Sequence, residues 1–346
     1  MKQVFVYSND SNTYSYGAKV IIDNLKKTLN GYNVIVTDRL DETSLNSSIL
    51  ISLTINNCFD AIKFLNKKSI NIAFLIDAAS LCVISAAKNY ILRRDYFSLI
   101  SLRQMLGLFL RFFLYTYKES KIFKNYDYIV LTSEVDKEYL SKKYNDYKDK
   151  IIVIPNGVEI RKFSESYPKE FTLGFLTTFS DGAFEDMRWF LDSYFPKIKK
   201  VHQDLRIIIA GRGATEKMKN YFQKIKEVEF IGEVNDLINF FDKITVMVTT
   251  VRKECGMLNK ILDSFVYKKV VIGSSKNFKA FINLENGDGY LACDTVDDYI
   301  NAISILKGNP ALFQKLTDNA FNYVVKYHNW DKNYQVLKDI VGNIYI

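Results

Sequence analysis

The stretch GMLNKILDSFVYKKVVIG, residues 256–273, has the pattern of a loop, a short helix and a buried strand in direct succession. The predicted helix carries a cation, Lys260, and a carboxylate, Asp263, on one face because they are three residues apart. Backbone N–H groups at a helix start, together with a lysine, form a place that holds phosphate. A carboxylate one turn further along can bind the hydroxyls of a sugar or a ribose. The stretch therefore predicts an α/β unit with a sugar-nucleotide site.

Strand-like apolar runs continue outward from this stretch in two successive series. The first series lies at 4–7, 32–37, 49–53, 72–76 and 128–131; the second begins at 151–154 and continues at 171–176, 205–210, 228–232, 244–248 and 270–272. These runs are apolar throughout, which is typical of a parallel sheet covered on both faces by helices. Helical patterns occupy 18–29, 186–200 and most of 310–346. We therefore predict two Rossmann-like α/β domains that face each other across a cleft, where the strands' carboxyl ends bind ligands.

The length of the chain agrees with this division. At 346 residues it exceeds the usual size of one hydrophobic core. We place the first domain at 1–160 and the second at 161–328. A C-terminal helix at 329–346 is expected to return to the first domain.

Cysteine and histidine usage indicates neither a metal site nor a disulfide framework. The four cysteines lie far apart without a CxxC motif, and only two histidines are present. This pattern predicts reduced, buried thiols and argues against zinc. The N-terminus lacks the pattern of a signal peptide, so a cytoplasmic protein is expected.

The positive charge of the chain is concentrated in one segment. The net charge is +8, and residues 88–124 hold eight basic residues against two acidic ones around an aromatic, apolar stretch at 105–115. A basic, aromatic, amphipathic helix can lie in an anionic membrane interface. The alternative is a buried helix of the first domain with solvated ends. No nucleic-acid-binding motif accompanies the charge, so nucleic acid is not an expected partner.

Several short motifs occur in an order that resembles one enzyme family. They are IPNGV at 154–158, RWFL at 188–191 with FPKI at 195–198, IIAGRG at 208–213, VEFIGEVNDL at 228–237 and G-x3-K-x2-D at 256–263, with weaker likeness in DAASL at 77–81 and LTSE at 131–134. Together they resemble the retaining, nucleotide-sugar-dependent GT-B glycosyltransferases, close to glycosyltransferase family 4. The likeness covers 150–275 well and the first half of the chain loosely.

The resemblance implies roles for individual residues. A nucleotide-sugar donor leaves as a nucleoside diphosphate, so fixed cations aimed at the diphosphate lower the barrier. Lys260 is the first candidate for that role and Arg212 the second, while Asp263 takes the place of a glutamate that binds ribose. Further donor-binding candidates are Gly17, Gly211, Gly213, Gly256, Met257, Leu258 and Asn259. The alternatives are an exposed helix lysine, a solvated helix acid and a surface turn arginine.

The chain departs from the family at the transferred sugar. Cys255 stands where a second glutamate is usual, so either Glu254 takes that role after a shift of one residue or backbone N–H groups replace it. The first domain has no histidine, which leaves Asp77 as its candidate polar group near the sugar. The alternative for Asp77 is a helix N-cap. No D-x-D motif is present, so no metal cofactor is expected.

These features predict a bacterial-type hexosyltransferase of class EC 2.4. It would move a sugar from a nucleoside diphosphate sugar to a surface polysaccharide or lipid-linked saccharide, with retention of configuration. The first domain would bind the acceptor and the second the nucleotide sugar. The expected place is the cytoplasm, peripheral at the inner face of the cell membrane. The alternatives are a catalytically inactive GT-B partner subunit, and a GT-B epimerase or phosphorylase.

Overall fold

The chain forms two α/β units, each built on a parallel six-stranded sheet. The computed structural model describes residues 3–9, 16–40, 49–92, 102–160, 168, 170–251 and 254–343. The first sheet contains β1 (Gln3–Tyr7), β2 (Asn33–Thr37), β3 (Ile49–Leu53), β4 (Ile70–Phe74), β5 (Tyr128–Leu131) and β6 (Ile151–Val153). The second contains β7 (Thr172–Leu176), β8 (Arg206–Ala210), β9 (Val228–Gly232), β10 (Val246–Thr249), β11 (Val270–Gly273) and β12 (Tyr290–Ala292).

Helices connect the strands, as parallel sheets require. In the first unit they are α1 (Tyr16–Thr28), α2 (Ile55–Ala61), α3 (Ala79–Leu92), α4 (Leu102–Asn125) and α5 (Glu134–Lys143). The second unit contains α6 (Asp181–Trp189), α7 (Phe195–Val201), α8 (Glu216–Phe222), α9 (Ile238–Phe241), α10 (Asn259–Val266), α11 (Val296–Gly308) and α12 (Pro310–Tyr327). The last described helix is α13 (Trp330–Asn343). The short 3₁₀ segments are Ile62–Phe64, Asn145–Lys150 and Ser275–Ala280.

The strand order of both sheets is doubly wound. The first sheet has the order β2-β1-β3-β4-β5-β6 and the second β12-β11-β10-β7-β8-β9. In the second sheet the order reverses between β7 and β10, so a crevice opens at their carboxyl ends. The prediction of two Rossmann-like domains is confirmed.

The C-terminal helix belongs to the core of the first unit. Tyr334, Leu337 and Val341 of α13 are fully buried in the cluster that contains Val4 and Ile51. Burying these apolar side chains offsets the entropy lost when the chain crosses back to the first unit. The predicted return of this helix is therefore observed.

Two segments run side by side where the chain passes between the units. The N–H of Val158 donates to the carbonyl of His328 at 2.8 Å, and a Cβ on Gly157 would lie 2.6 Å from Trp330. The His328 ring contacts the carbonyl of Asn156 through Nδ1 at 2.7 Å. Burial lowers the pKa of His328 to about 4, so the imidazole is neutral at neutral pH. Only glycine fits at 157, which accounts for this part of the PNG sequence.

The observed elements differ from the sequence prediction mainly in three places. The strand predicted at 151–154 as the first of the second series is β6, which pairs with β5 in the first sheet. The strand expected at 72–76 spans Ile70–Phe74, because Nδ2 of Asn71 finds carbonyl partners on Asn66 and Ser69. The helix expected at 186–200 begins earlier, at Asp181, where Ser180 accepts from the N–H of Ala183. It also contains a π-helical turn at Phe190–Tyr194.

Candidate active site

The predicted diphosphate-binding arginine follows β8 in a turn that requires glycine. A Cβ on Gly211 would lie 1.9 Å from the carbonyl oxygen of Thr177, and Gly213 has a φ of +81°. The carbonyl of Arg212 accepts from the N–H of Phe179 at 2.9 Å, so the loops after β7 and β8 are tied together. Among the described residues, the Arg212 guanidinium has no hydrogen-bond or ion-pair partner. It is therefore available to an anionic ligand.

The predicted lysine lies in the first turn of α10. Helix α10 follows the loop after β10, on the other side of the crevice from β7. The Lys260 side chain keeps some accessible surface, yet its ammonium is surrounded by protein. This desolvation lowers the pKa of Lys260 to about 8, although nearby Asp186 acts in the opposite direction. The ammonium thus lies in a partly desolvated place at the start of α10, and its role at a diphosphate stays a prediction.

The acidic groups near Lys260 are both engaged within the protein. Asp263 is partly buried one turn further along α10, and Asp186 lies on α6. Sequence analysis identified Asp263 and missed Asp186, since nothing in its local sequence distinguishes it from the other acids of α6. The role of Asp263 at a ribose stays a prediction.

The loop before α10 is held by the first domain. Gly256 has a φ of +62°, and its N–H donates to Oδ2 of Asp136 at 2.9 Å. Asp136 is fully buried on α5 and also accepts from the N–H of Ala78 at 3.0 Å. Burial raises the pKa of Asp136, and hydrogen bonds from Ser133, Ala78 and Gly256 only partly offset this. Sequence analysis missed Asp136, because its partners are distant in the chain.

Glu254 forms ion pairs with both domains, so its carboxylate is not unpaired in the crevice. Its carboxylate pairs with Lys88 of α3 at 3.2 Å and with Lys276 at 3.1 Å, and its N–H donates to Ser85 at 3.1 Å. Burial raises the pKa of Glu254, but the two lysines outweigh it and leave the pKa below its ordinary value. A catalytic role for Glu254 would compete with these ion pairs.

Cys255 is joined to the first domain by a disulfide with Cys82 of α3. The two Cα atoms are 5.5 Å apart, within the normal range for a disulfide. The prediction of reduced thiols is thus wrong for this pair. The two cysteines are 173 positions apart in the chain and meet only where the two domains contact each other. The prediction holds for Cys58 and Cys293, which are free and buried.

The predicted polar group of the first domain lies at the same place. A carboxylate oxygen of Asp77 and the sulfurs of Cys82 and Cys255 all lie within 4.8 Å of one another. The disulfide removes the thiolates that a metal ion would need as ligands. Helix α3 begins at Ala79, so its N-cap position is Ala78. Asp77 lies one residue before that position and is not the N-cap residue that the sequence analysis gave as the alternative. Asp77 is therefore next to the position where the family's glutamate is replaced.

The remaining predicted donor-binding residues fall into two places. Met257, Leu258 and Asn259 form the entry to α10, and Oδ1 of Asn259 accepts from Nδ2 of Asn156 at 2.7 Å. This bond connects the interdomain crossing to the donor loop. Gly17 lies in the first turn of α1, in the first domain.

A second surface feature lies on α4. Six apolar side chains, spaced as one helical face, are 49–59% exposed: Leu106, Phe109, Leu110, Phe113, Leu114 and Tyr117. We call this face the apolar stripe of α4. The exposed Lys121 and Lys124 continue it towards the helix end, where Ile122 and Phe123 are buried. The alternative of a buried helix therefore describes only the end of α4.

A cavity lies far from these loops. It has a volume of about 1340 Å³ and opens at the amino-terminal ends of β8 and β9, near Arg206 and Glu227. Its charges are partly paired, for example Lys199 with Glu227 at 3.5 Å. Since ligands of doubly wound sheets bind at the opposite edge, this cavity does not change the assignment of the site.

Comparison with known proteins defines the class. Residues 170–309 match the family model described as Glycosyl transferases group 1. No curated protein sequence matches the chain significantly. Residues 170–309 are thus similar to the glycosyl transferases group 1 family, and the predicted resemblance to glycosyltransferases is confirmed.

Solved structures extend the likeness to the whole chain. Sucrose-phosphate synthase from Thermosynechococcus elongatus has a TM-score of 0.70 at 13% identity, covering 100% of this chain and 99% of that chain. HepE from Anabaena, solved with UDP, has a TM-score of 0.69 at 12% identity, covering 99% and 100%. TarM from S. aureus has a TM-score of 0.64 at 13% identity, covering 87% of this chain and 57% of that chain. The chain thus spans little more than half of TarM, and it has the GT-B fold.

The helices of the described residues do not meet the requirements of a membrane span. None of those in the described ranges combines sufficient length with sufficient hydropathy to cross a bilayer.

Proposed function

We propose that the protein transfers a hexosyl group from a nucleoside diphosphate sugar to a saccharide or lipid-linked acceptor, with retention of configuration. The observation that carries the proposal is the position of Lys260, on the first turn of α10 beside the crevice of the domain that is similar to the glycosyl transferases group 1 family. Structures of HepE and of the pneumococcal O-GlcNAc transferase GtfA contain UDP, which supports a nucleotide-sugar donor. No metal cofactor is part of the proposal.

The proposed chemistry needs few groups. Lys260 and Arg212 neutralise the charge that develops on the diphosphate as the bond between the anomeric carbon and the phosphate oxygen breaks. The acceptor oxygen forms its bond to the same carbon on the same face, and its proton passes to the departing phosphate. No separate general base is required. The N–H groups of Glu254 and Gly256 are already bonded to Ser85 and Asp136, so other N–H groups of the loop before α10 take the place of the missing glutamate at Cys255.

The donor assignment is tested by nucleoside diphosphate release from a panel of sugar nucleotides. We expect Lys260→Ala and Arg212→Ala each to lower kcat/KM by about 100-fold, since each removes a charged contact to the leaving group. The matched control is Lys326→Ala, which removes an exposed cation from α12. Undiminished release by Lys260→Ala would contradict the assignment, and so would an equal loss in the control.

Retention is tested separately from the donor. The anomeric configuration of the product is compared with that of the sugar nucleotide by the proton coupling of the anomeric centre. A product of the opposite configuration would refute the phosphate-assisted mechanism while leaving the donor assignment intact.

The apolar stripe of α4 supports a lipid-linked acceptor at a membrane surface. Exposed aromatic and aliphatic side chains beside basic ones suit the boundary between headgroups and acyl chains of an anionic membrane. We expect binding to vesicles that contain phosphatidylglycerol and weak binding to pure phosphatidylcholine. Replacing both Phe109 and Leu110 by Ser should abolish the binding, while Val325→Ser, at an exposed position of α12, should leave it unchanged. Self-association through the stripe, detected by light scattering, would argue against the membrane role.

A second candidate is a catalytically inactive GT-B subunit that supports an active transferase. The observation in its favour is Cys255, which replaces the usual glutamate and is bonded to Cys82. Binding of a sugar nucleotide without release of nucleoside diphosphate, in reduced protein as well, would favour this candidate. An epimerase finds no comparable support among the described residues.

A further inference from the structure

Asp136 occupies a position in α5 that normally serves the helix itself. It is the third residue of the helix, and its N–H donates to the side chain of the N-cap residue Ser133 at 3.2 Å. An acid at this position usually returns a hydrogen bond to the backbone N–H of the N-cap residue, which completes a capping box. The local sequence S-x-x-D thus predicts a capping role for Asp136.

The same chain contains a capping box for comparison. Asp298 is the third residue of α11, and its Oδ2 accepts from the N–H of Thr295 at 2.8 Å and of Asp294 at 3.0 Å. Among the described residues, its hydrogen-bond partners all lie within four positions along the chain. Its side chain therefore serves only the start of its own helix.

Asp136 departs from this pattern. Its oxygens accept from the N–H of Ala78, 58 residues away, and of Gly256, 120 residues away. The hydroxyl of Ser133 also donates to Oδ2 at 2.5 Å. The carboxylate is fully buried and joins the loop after β4 to the loop that begins the donor motif. A structural cap would need neither of the two distant bonds.

We propose that Asp136 is a positioning residue that fixes the backbone of Gly256, and with it the start of α10, for donor binding across the two domains. The proposal rests on the proposed function. One carboxylate oxygen holds Gly256 and thereby determines the position of Lys260. The other oxygen holds the loop at 77–78 of the first domain, so the position of Lys260 is set relative to that domain. Asp136 itself is not assigned a contact with the donor.

The variant that tests this is Asp136→Asn. Asparagine has nearly the same shape, but one of its two acceptor positions becomes an NH₂ group that faces an N–H donor. One of the two loops must therefore lose its bond. The matched control is Asp298→Asn, which makes the same change at the same helix position, where the carboxylate bonds neither Ala78 nor Gly256. Both variants are studied with reductant present, so that the disulfide does not hold the loop.

The expected result has two parts. In Asp136→Asn, hydrogen exchange becomes at least about tenfold faster in the peptide whose loop loses its bond, either 254–258 or 76–80, and kcat/KM for the sugar nucleotide falls about 10- to 100-fold, as for loss of a charged hydrogen bond. In Asp298→Asn, both quantities stay at wild-type values. The thermal midpoints of the two variants are compared to separate positioning from stability.

Two outcomes overturn the proposal. One is equal exchange and equal kinetics in both variants; the other is faster exchange with unchanged kcat and KM, which would leave only a structural role. Wild-type protein that releases no nucleoside diphosphate from any sugar nucleotide would instead refute the proposed function, and the positioning role with it. The two failures are thus distinguished by the wild-type rate.

Discussion

At the scale of single residues, the lowered pKa of Lys260 gives the donor site a pH dependence. Desolvation brings this pKa from 10.5 to about 8. The cation is present below that pH and is lost as the pH rises through it. If Lys260 binds the diphosphate, kcat/KM for the sugar nucleotide should fall about tenfold per pH unit above pH 8. Initial rates at low donor concentration measure this directly.

Lys260→Arg is the control for this prediction. Its guanidinium stays protonated throughout the accessible range, so the decline near pH 8 should disappear even if the absolute rate is lower. A wild-type profile that stays flat to about pH 10 would show that the charge of Lys260 is not needed for donor binding.

The predictability of the site residues depended on the range of their contacts. Lys260 and Gly256 were accessible to sequence analysis because a helix start and a glycine turn are local patterns. Asp136 and Asp186 were not, since the contacts that matter cross from one helix to loops elsewhere in the fold. For Asp136 the local pattern even indicates a different role, that of a helix cap. Cys255 was recognised as unusual, but its bond to Cys82 follows only from the packing of the two domains.

At the scale of elements, α4 is held in place by a buried ion pair. Glu119 is fully buried; it accepts from Nζ of Lys143 at 3.0 Å and from the N–H of Ser80 at 2.9 Å. It thus joins α4 to α5 and to the start of α3. Because α4 presents an apolar stripe outward, this pair contributes to the orientation of the stripe, together with the buried Ile122 and Phe123.

Removal of the buried carboxylate should therefore be costly. We expect Glu119→Ala to lower the free energy of unfolding by about 3 kcal/mol, because the Lys143 ammonium loses its counter-ion and the Ser80 N–H loses its acceptor. Glu138→Ala removes an exposed partner of Lys142 on α5 and should have little effect. Urea unfolding of both variants measures the difference. A loss in Glu119→Ala no larger than that in Glu138→Ala would contradict the structural role of the pair.

Most elements were predictable from hydrophobic periodicity. The fully buried strand β3 and the partly exposed edge strand β9 both matched their predicted bounds. The failures had specific causes: Asn71 is polar yet lies within β4, and the helical pattern after β7 contains a π-helical turn. In both places local hydrogen bonding changed the element from what the hydrophobic periodicity predicts: it shifted the bounds of β4 and introduced a π-helical turn between α6 and α7.

At the scale of the whole molecule, the disulfide predicts a definite thiol count. Protein unfolded without reductant, after purification in air, should show two reactive thiols, from Cys58 and Cys293, and four after reduction. Cys82→Ser should show three before reduction, because Cys255 then loses its partner. Four thiols in the unreduced wild type would rule out the bond under those conditions.

The bond also has a thermodynamic consequence at this scale. It closes a loop of 173 residues, for which chain entropy predicts a stabilisation of about 5 kcal/mol. In a reducing cytoplasm the pair would be open, and the domains would be joined at this place only by weaker contacts such as those of Glu254 and Asp136. Oxidised and reduced protein should therefore differ in unfolding midpoint, and Cys82→Ser should remove that difference.

The return of α13 determines the order in which the domains can be completed during synthesis. The core of the second domain uses residues up to Val324, whereas that of the first requires Tyr334, Leu337 and Val341. A ribosome delivers the chain from its N-terminus, so the domain that is begun first is closed last. A chain that stops at Asn329 should retain a cooperative transition for the second domain and lose that of the first. The nascent first domain must therefore wait, with its core open, for the last helix to emerge.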